Sequence, residues 1–170
     1  MQLLKLTVFS SLFIVLLLTI ASCEKDSEKK KGGRLYVKSG IPVTGAQAVP
    51  ASNSTGTGAL SVNYSRDTRT LSYTFNWTGL KDTITGAAIH GPAPAGYASA
   101  TIRQALTGFV ADIKTNQKNF PYQGGSYTGS VFVDDVVIKE QDLLNQLYYI
   151  SVRTKAFPST GEVRAQIVFQ

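Results

Sequence analysis

Apolar side chains in this chain recur at every second position. Leu71, Tyr73, Phe75 and Trp77 alternate with Ser72, Thr74, Asn76 and Thr78. Near the C terminus Val163, Ala165, Ile167 and Phe169 alternate with Arg164, Gln166, Val168 and Gln170, and Leu60, Val62 and Tyr64 repeat the pattern more briefly. A strand turns successive side chains to opposite faces, so this period places one face on a core and the other in water. Further strands are expected at 35–38, 46–49, 84–90, 98–104, 108–113, 127–133 and 148–154, separated by Gly-, Pro-, Asn- and Ser-rich turns at 50–58, 91–96 and 121–125. Many short strands broken this way predict an all-β sandwich or barrel. Residues 140–147 depart from the period, since Leu143, Leu144 and Leu147 fall on one helical face behind the acidic residues of the segment's start. One or two helical turns capping an end of the sheet are expected there. Trp77 lies on the apolar side of its strand and is expected in the core.

The N terminus has a different character. Lys5 precedes an uncharged run of 17 residues, 6–22, that closes in Ile20-Ala21-Ser22 before Cys23, the single cysteine. Such a run resembles a secretory signal peptide ending in the lipobox of bacterial lipoproteins. A retained membrane helix is the rival, at the lower length limit for crossing a bilayer. The resemblance implies cleavage before Cys23 and acylation of its thiol, palmitate among the chains. Since each buried CH₂ contributes about 0.8 kcal/mol, two or three acyl chains hold a protein durably. Residues 23–33 carry charge and no apolar side chain after Cys23, so they read as a flexible tether. Domain organisation is therefore signal peptide 1–22, tether 23–33 and one β domain over 34–170. With one cysteine, no internal disulfide is available. The acidic positions after Cys23 loosely resemble surface-export signals of Bacteroidetes lipoproteins, which implies the outer membrane or cell surface rather than the inner membrane.

Charge narrows the partners. From Arg34 onward there are twelve Lys or Arg and eight Asp or Glu, a net +4, and the basic residues are scattered. A nucleic-acid binder concentrates them on one face or helix, so nucleic acid is not an expected partner.

Several short motifs combine in order. Gly45-Ala46-Gln47-Ala48-Val49-Pro50, the alternating stretch 71–80, Gly86-Ala87-Ala88-Ile89-His90-Gly91-Pro92-Ala93 and the C-terminal block from 143 through Gly161-Glu162-Val163-Arg164 together resemble the CHRD domain, named after chordin. The resemblance implies an immunoglobulin-like or superoxide-dismutase-like Greek-key β-sandwich or barrel with one short helix. It also implies three histidines able to converge on a metal, of which this chain keeps only His90. Ala48 stands where the family usually has Glu. Ala88 replaces the first His of a His-x-His pair that ends in His90, and Arg153 stands where a C-terminal His is usual.

His90 is the only histidine. A copper–zinc site needs several imidazoles, so no cofactor is expected, and a weak metal site at His90 is the alternative to a histidine that ends a strand and bonds into the Gly91-Pro92 turn. Family analogy sets Arg153 near His90, where a guanidinium repels cations and suits carboxylate or phosphate. Asp134, Asp135, Glu140 and Asp142 lack the spacing of a calcium loop and read as a strand end and helix start. Glu162 and Arg164 share a parity and are expected to form a structural ion pair or a tie to the preceding loop. Tyr97, Phe120, Tyr122 and Tyr127 lie in or beside the middle connection, where aromatics stack on sugars, anchor proteins or lid a core. No Gly-x-Ser-x-Gly elbow is present, and no constellation specifies a reaction. The expected function is a lipid-anchored, non-enzymatic binding or interaction module of the cell envelope, with an envelope glycan or protein as partner. A metal-binding or redox protein with a degraded site, or a purely structural envelope component, are the alternatives.

Replacement of Cys23 tests the anchor. Cys23→Ser is expected to leave an unprocessed precursor or release the protein from the membrane pellet on cell fractionation. Unchanged membrane retention would rule out the lipid anchor.

Overall fold

The computed structural model describes residues 34–106 and 124–169. Alternation produces strands where it was expected: β1 (Leu35–Thr44), β2 (Thr57–Ser65), β3 (Thr70–Thr78), β4 (Ile84–His90), β5 (Ile102–Ala105), β6 (Gly124–Phe132), β7 (Tyr149–Thr154) and β8 (Val163–Gln166). They form one sheet in the order β5-β4-β7-β8-β1-β2-β3-β6, curled into a nearly closed barrel. Leu60, Val62 and Tyr64 of β2 and Leu71, Tyr73 and Phe75 of β3 turn inward to meet Ile89, Ile150, Val152, Val163 and Ala165 from the other half. Trp77 is only partly buried; its ring stacks on Phe75 with centroids 5.6 Å apart and lies where a side chain at Gly125 would otherwise stand.

Several expected boundaries shift: β1 runs to Thr44 where 35–38 was expected, and β6 begins at Gly124 rather than 127. Residues 46–49 are not a strand: Gly45–Gln47 is a 3-10 turn. The Gly45 carbonyl accepts from the amides of Ala48 at 3.1 Å and Ser52 at 3.0 Å, and Ser52 packs so close that a Cβ at Gly45 would lie 2.3 Å from its hydroxyl. The chain bends here because glycine leaves room for it. The strand expected over 98–104 shortens to Ile102–Ala105, since residues before it belong to a loop bonded to the sheet. The last strand ends at Gln166, although Ile167 still donates its amide to the Tyr148 carbonyl at 2.8 Å. The segment 108–113 lies outside the described residues.

The expected helical turn is α1 (Glu140–Leu144), which buries Leu143. Side chains from the preceding loop prepare its start. Asp134 Oδ1 accepts the amides of Val136, Val137 and Ile138 at 2.9, 2.7 and 3.2 Å, and Asp135 Oδ1 accepts that of Glu140 at 2.8 Å. These bonds, the Val136 amide first, hold the Asp134 carboxyl below its ordinary pKa. The acidic residues here thus cap turns, as their spacing suggested.

Core packing carries the barrel. Leu60→Ala removes a fully buried side chain from the β2–β3 face and is expected to cost about 2–5 kcal/mol in denaturant unfolding. A loss below about 1 kcal/mol would mean that this face is not the packed interior.

Candidate functional site

The polar residues of the motif blocks converge on the outer face of β4, β7 and β8. His90 ends β4 opposite Tyr149 of β7, and Tyr149 in turn faces Gln166 of β8. The His90 and Tyr149 rings stack at 5.0 Å and 3°. From the β8 side Arg164 lays its guanidinium over the same Tyr149 ring, with Cζ 3.5 Å from the centroid. Tyr149 is therefore flanked by an imidazole and a guanidinium, both attracted to an aromatic face.

His90 has both ring nitrogens engaged. Nδ1 lies 3.0 Å from the Ala100 carbonyl and Nε2 lies 3.0 Å from Ser151 Oγ. A carbonyl only accepts, so Nδ1 carries the hydrogen, and Nε2 of the neutral ring accepts the Ser151 hydroxyl. Burial lowers the His90 pKa; the nearby Arg153 and Arg164 lower it further, while the Ala100 bond opposes them. His90 reaches across to Ala100, not into the adjacent Gly91-Pro92 turn. Its coordinating lone pair is spent on Ser151. Among the described residues, no three His, Cys, Asp or Glu side chains gather where they could hold a metal.

Residues 91–101 cover this face and are bonded to it at several points. Arg103 Nε donates to the Gly91 carbonyl at 2.6 Å, Gln166 Nε2 to Ala93 at 3.1 Å, and Arg164 Nη1 to Tyr97 at 2.7 Å. Tyr149 Oη accepts the Ala100 amide at 3.1 Å, and the Ala93 amide donates to the Leu147 carbonyl at 2.7 Å. Arg164 and Gln166 were expected on a water-facing side of the last strand; under this loop they are buried at 3% and 8% exposure. Desolvation holds the Arg164 pKa below its usual value. A second donor is spent locally, with Nη2 reaching Gln166 Oε1 at 3.2 Å.

Glu162 and Arg164 do not form the expected ion pair. The Glu162 carboxylate is fully buried and held by neutral donors: Ser54 Oγ at 2.5 Å and the Lys81 amide at 2.6 Å on Oε1, and Thr154 Oγ1 at 2.7 Å on Oε2. Because Glu162 precedes β8 and Arg164 lies within it, each finds partners in a different loop. Glu162 does tie a loop, the one around Ser54, and also fastens the β3–β4 connection and the end of β7.

Arg153 is half-buried opposite Gly86, on the same face as His90 and near enough for its charge to lower the His90 pKa. Tyr97 is 59% exposed, its backbone held by Arg164 at the carbonyl and by the Pro94 carbonyl at the amide, 3.2 Å away. Cys23, Phe120 and Tyr122 lie outside the described residues. Sequence reasoning missed Tyr149, Ser151 and Gln166. Their alternation marked them as strand residues, and nothing local announces that a loop will bury their outward face.

The family model for the CHRD domain matches residues 40–167. No curated protein and no solved structure matches the chain.

Two outcomes follow from this geometry. Glu162→Ala strands the Ser54 hydroxyl, the Lys81 amide and the Thr154 hydroxyl, and is expected to cost about 2–5 kcal/mol by denaturant titration, with Glu162→Gln retaining part of that. A neutral result would show that these donors find water instead. The depressed His90 pKa gives a second. Folding favours the neutral ring, so its contribution is complete above the ordinary value of 6.5 and is lost as pH falls from there through the folded-state value. Wild type should lose stability across that window more steeply than His90→Gln; parallel profiles would show that His90 does not titrate with unfolding.

Proposed function

On the premise that this chain belongs to the CHRD domain family, we propose that it is a non-enzymatic binding or interaction module of the bacterial cell envelope. In this reading a lipid on Cys23 holds it to the outer membrane or cell surface, and residues 23–33 space the domain from the bilayer. The observation that carries it is that the buried polar groups of the β4–β7–β8 layer and Glu162 are engaged inside the protein. His90, Arg164, Gln166 and Glu162 each spend their hydrogen-bonding atoms on loop carbonyls, backbone amides or neighbouring side chains. A general base or nucleophile needs an atom free to meet substrate. These residues instead fasten loops to a barrel, which suits a scaffold that presents a surface.

The fold reading can also be made finer. Strand β3 neighbours β6 while β4 and β5 lie in the opposite half next to β7. Connections that cross between halves in this way support a Greek-key arrangement of the immunoglobulin-like or superoxide-dismutase-like kind.

The binding reading is tested with the full chain in detergent, immobilised and exposed to solubilised cell-envelope glycans and proteins. Saturable retention of an envelope component is expected, and His90→Ala should retain it equally while remaining folded. Absence of saturable retention, or its loss in folded His90→Ala, would overturn the proposal.

A further inference from the structure

The outer face of β2, β3 and β6 has an unusual chemistry. Registers across the three strands set five rungs of outward residues. Of those fifteen positions, four on β2, five on β3 and three on β6 are Ser, Thr or Asn, and none is charged. The chain as a whole is 16% charged, and exposed strands ordinarily interleave Lys and Glu for solubility. The two central rungs are Ser61–Thr74–Thr128 and Asn63–Ser72–Ser130. Together with Val37 and Ser39 of β1, residues of these rungs line an open groove of about 220 Å³. Thr74 and Thr128 share a 3.1 Å hydroxyl–hydroxyl bond. Phe132, 58% exposed, closes one end of the grid.

We propose that this face is a docking surface for a neutral polysaccharide. The inference rests on the binding-module reading and names its ligand class. Charge decides among occupants. A nucleic acid or an acidic glycan needs Lys or Arg at the contact, and these positions have none. A protein partner needs a desolvated apolar centre with aromatic or Arg anchors, and the central rungs hold only hydroxyls and amides. A neutral polyhydroxyl chain meets such a grid on equal terms: Ser, Thr and Asn side chains both donate and accept, Asn76 keeps its amide donors while its Oδ1 accepts the Ala59 amide, and no charge is desolvated. Same-face residues repeat about every 6.7 Å along a strand and about 4.8 Å between strands, a regular lattice suited to a repeating polymer. Val37 and the edge and open face of Phe132 supply apolar contact for the C–H faces of sugar rings; the Arg69 guanidinium, its charge paired with Asp135, lies over the ring with Cζ 5.5 Å from the centroid. Each exchanged hydrogen bond contributes little net, so binding is weak per sugar and grows with polymer length.

The test is affinity electrophoresis of the full chain in a polyoxyethylene detergent, through native gels containing hydroxyethyl cellulose, laminarin, soluble starch or anionic polygalacturonate. Retardation by at least one neutral polymer and none by polygalacturonate is expected. The triple variant Asn63→Ala, Ser72→Ala, Thr128→Ala should weaken the neutral interaction at least tenfold. All three positions are exposed, so the variant should fold, and its thermal unfolding is checked alongside. Ser72→Glu, which places one charge at the grid's centre, should abolish retardation with the fold intact. Retardation unchanged in both variants overturns the proposal, as does no retardation by any neutral polymer. In that last case saturable retention of another envelope component would leave the binding-module reading standing.

Discussion

Strand β8 is buried on both faces, and that constraint organises the domain. Val163 and Ala165 face the core; Arg164 and Gln166 face outward and are covered as well. A buried polar group must find an internal partner or cost several kcal/mol. The partners are the carbonyls of Ala93, Tyr97 and Gln146, together with the ring of Tyr149. The loop over 91–101 therefore has little freedom of path. Glu162, one residue ahead of the strand, does the same for the segments around Ser54 and Lys81. A short run of sequence thus fastens three separate segments, around Ser54, around Lys81 and over 91–101.

This arrangement engages the chemistry-bearing residues of the β4–β7–β8 face in bonds within the protein. A lone histidine in the Gly86–Ala93 motif invites a metal or acid–base reading. Here the imidazole sits between two structural acceptors and donors, stacked on a tyrosine, with two guanidiniums close enough to disfavour its charged form. Arg153 works in the same direction, since a cation beside His90 opposes a second cation. The polar layer stabilises a covering loop. The hydroxyl and amide grid across β2, β3 and β6 is a second polar layer, this one open to solvent and built by strand register.

Much of the barrel was legible in the sequence because period two is a local signal. Leu71 to Trp77 and Leu60 to Tyr64 announce both their strands and their buried sides, and the CHRD motifs were readable in order. Boundaries set by glycine packing were not: Gly45 turns the chain where alternation alone suggests a strand. Side-chain partners were the least legible. Glu162 and Arg164 share a parity, yet their contacts lie 81 and 67 residues away in sequence, and no local pattern encodes a tertiary bond. The grid on β2, β3 and β6 lay open in the alternation as Ser72, Thr74, Asn76 and Thr78, but its extent appears only once three strands are in register.

The central claim is that His90 is a neutral, fully bonded structural residue. Nitrogen-15 NMR of its imidazole in the full chain, recorded across pH and with added zinc, addresses it directly. The account predicts an Nδ1–H tautomer that protonates only below 6.5 and ignores stoichiometric zinc. An imidazole that titrates above that value, or whose Nε2 resonance shifts on zinc addition while the fold is intact, would contradict it.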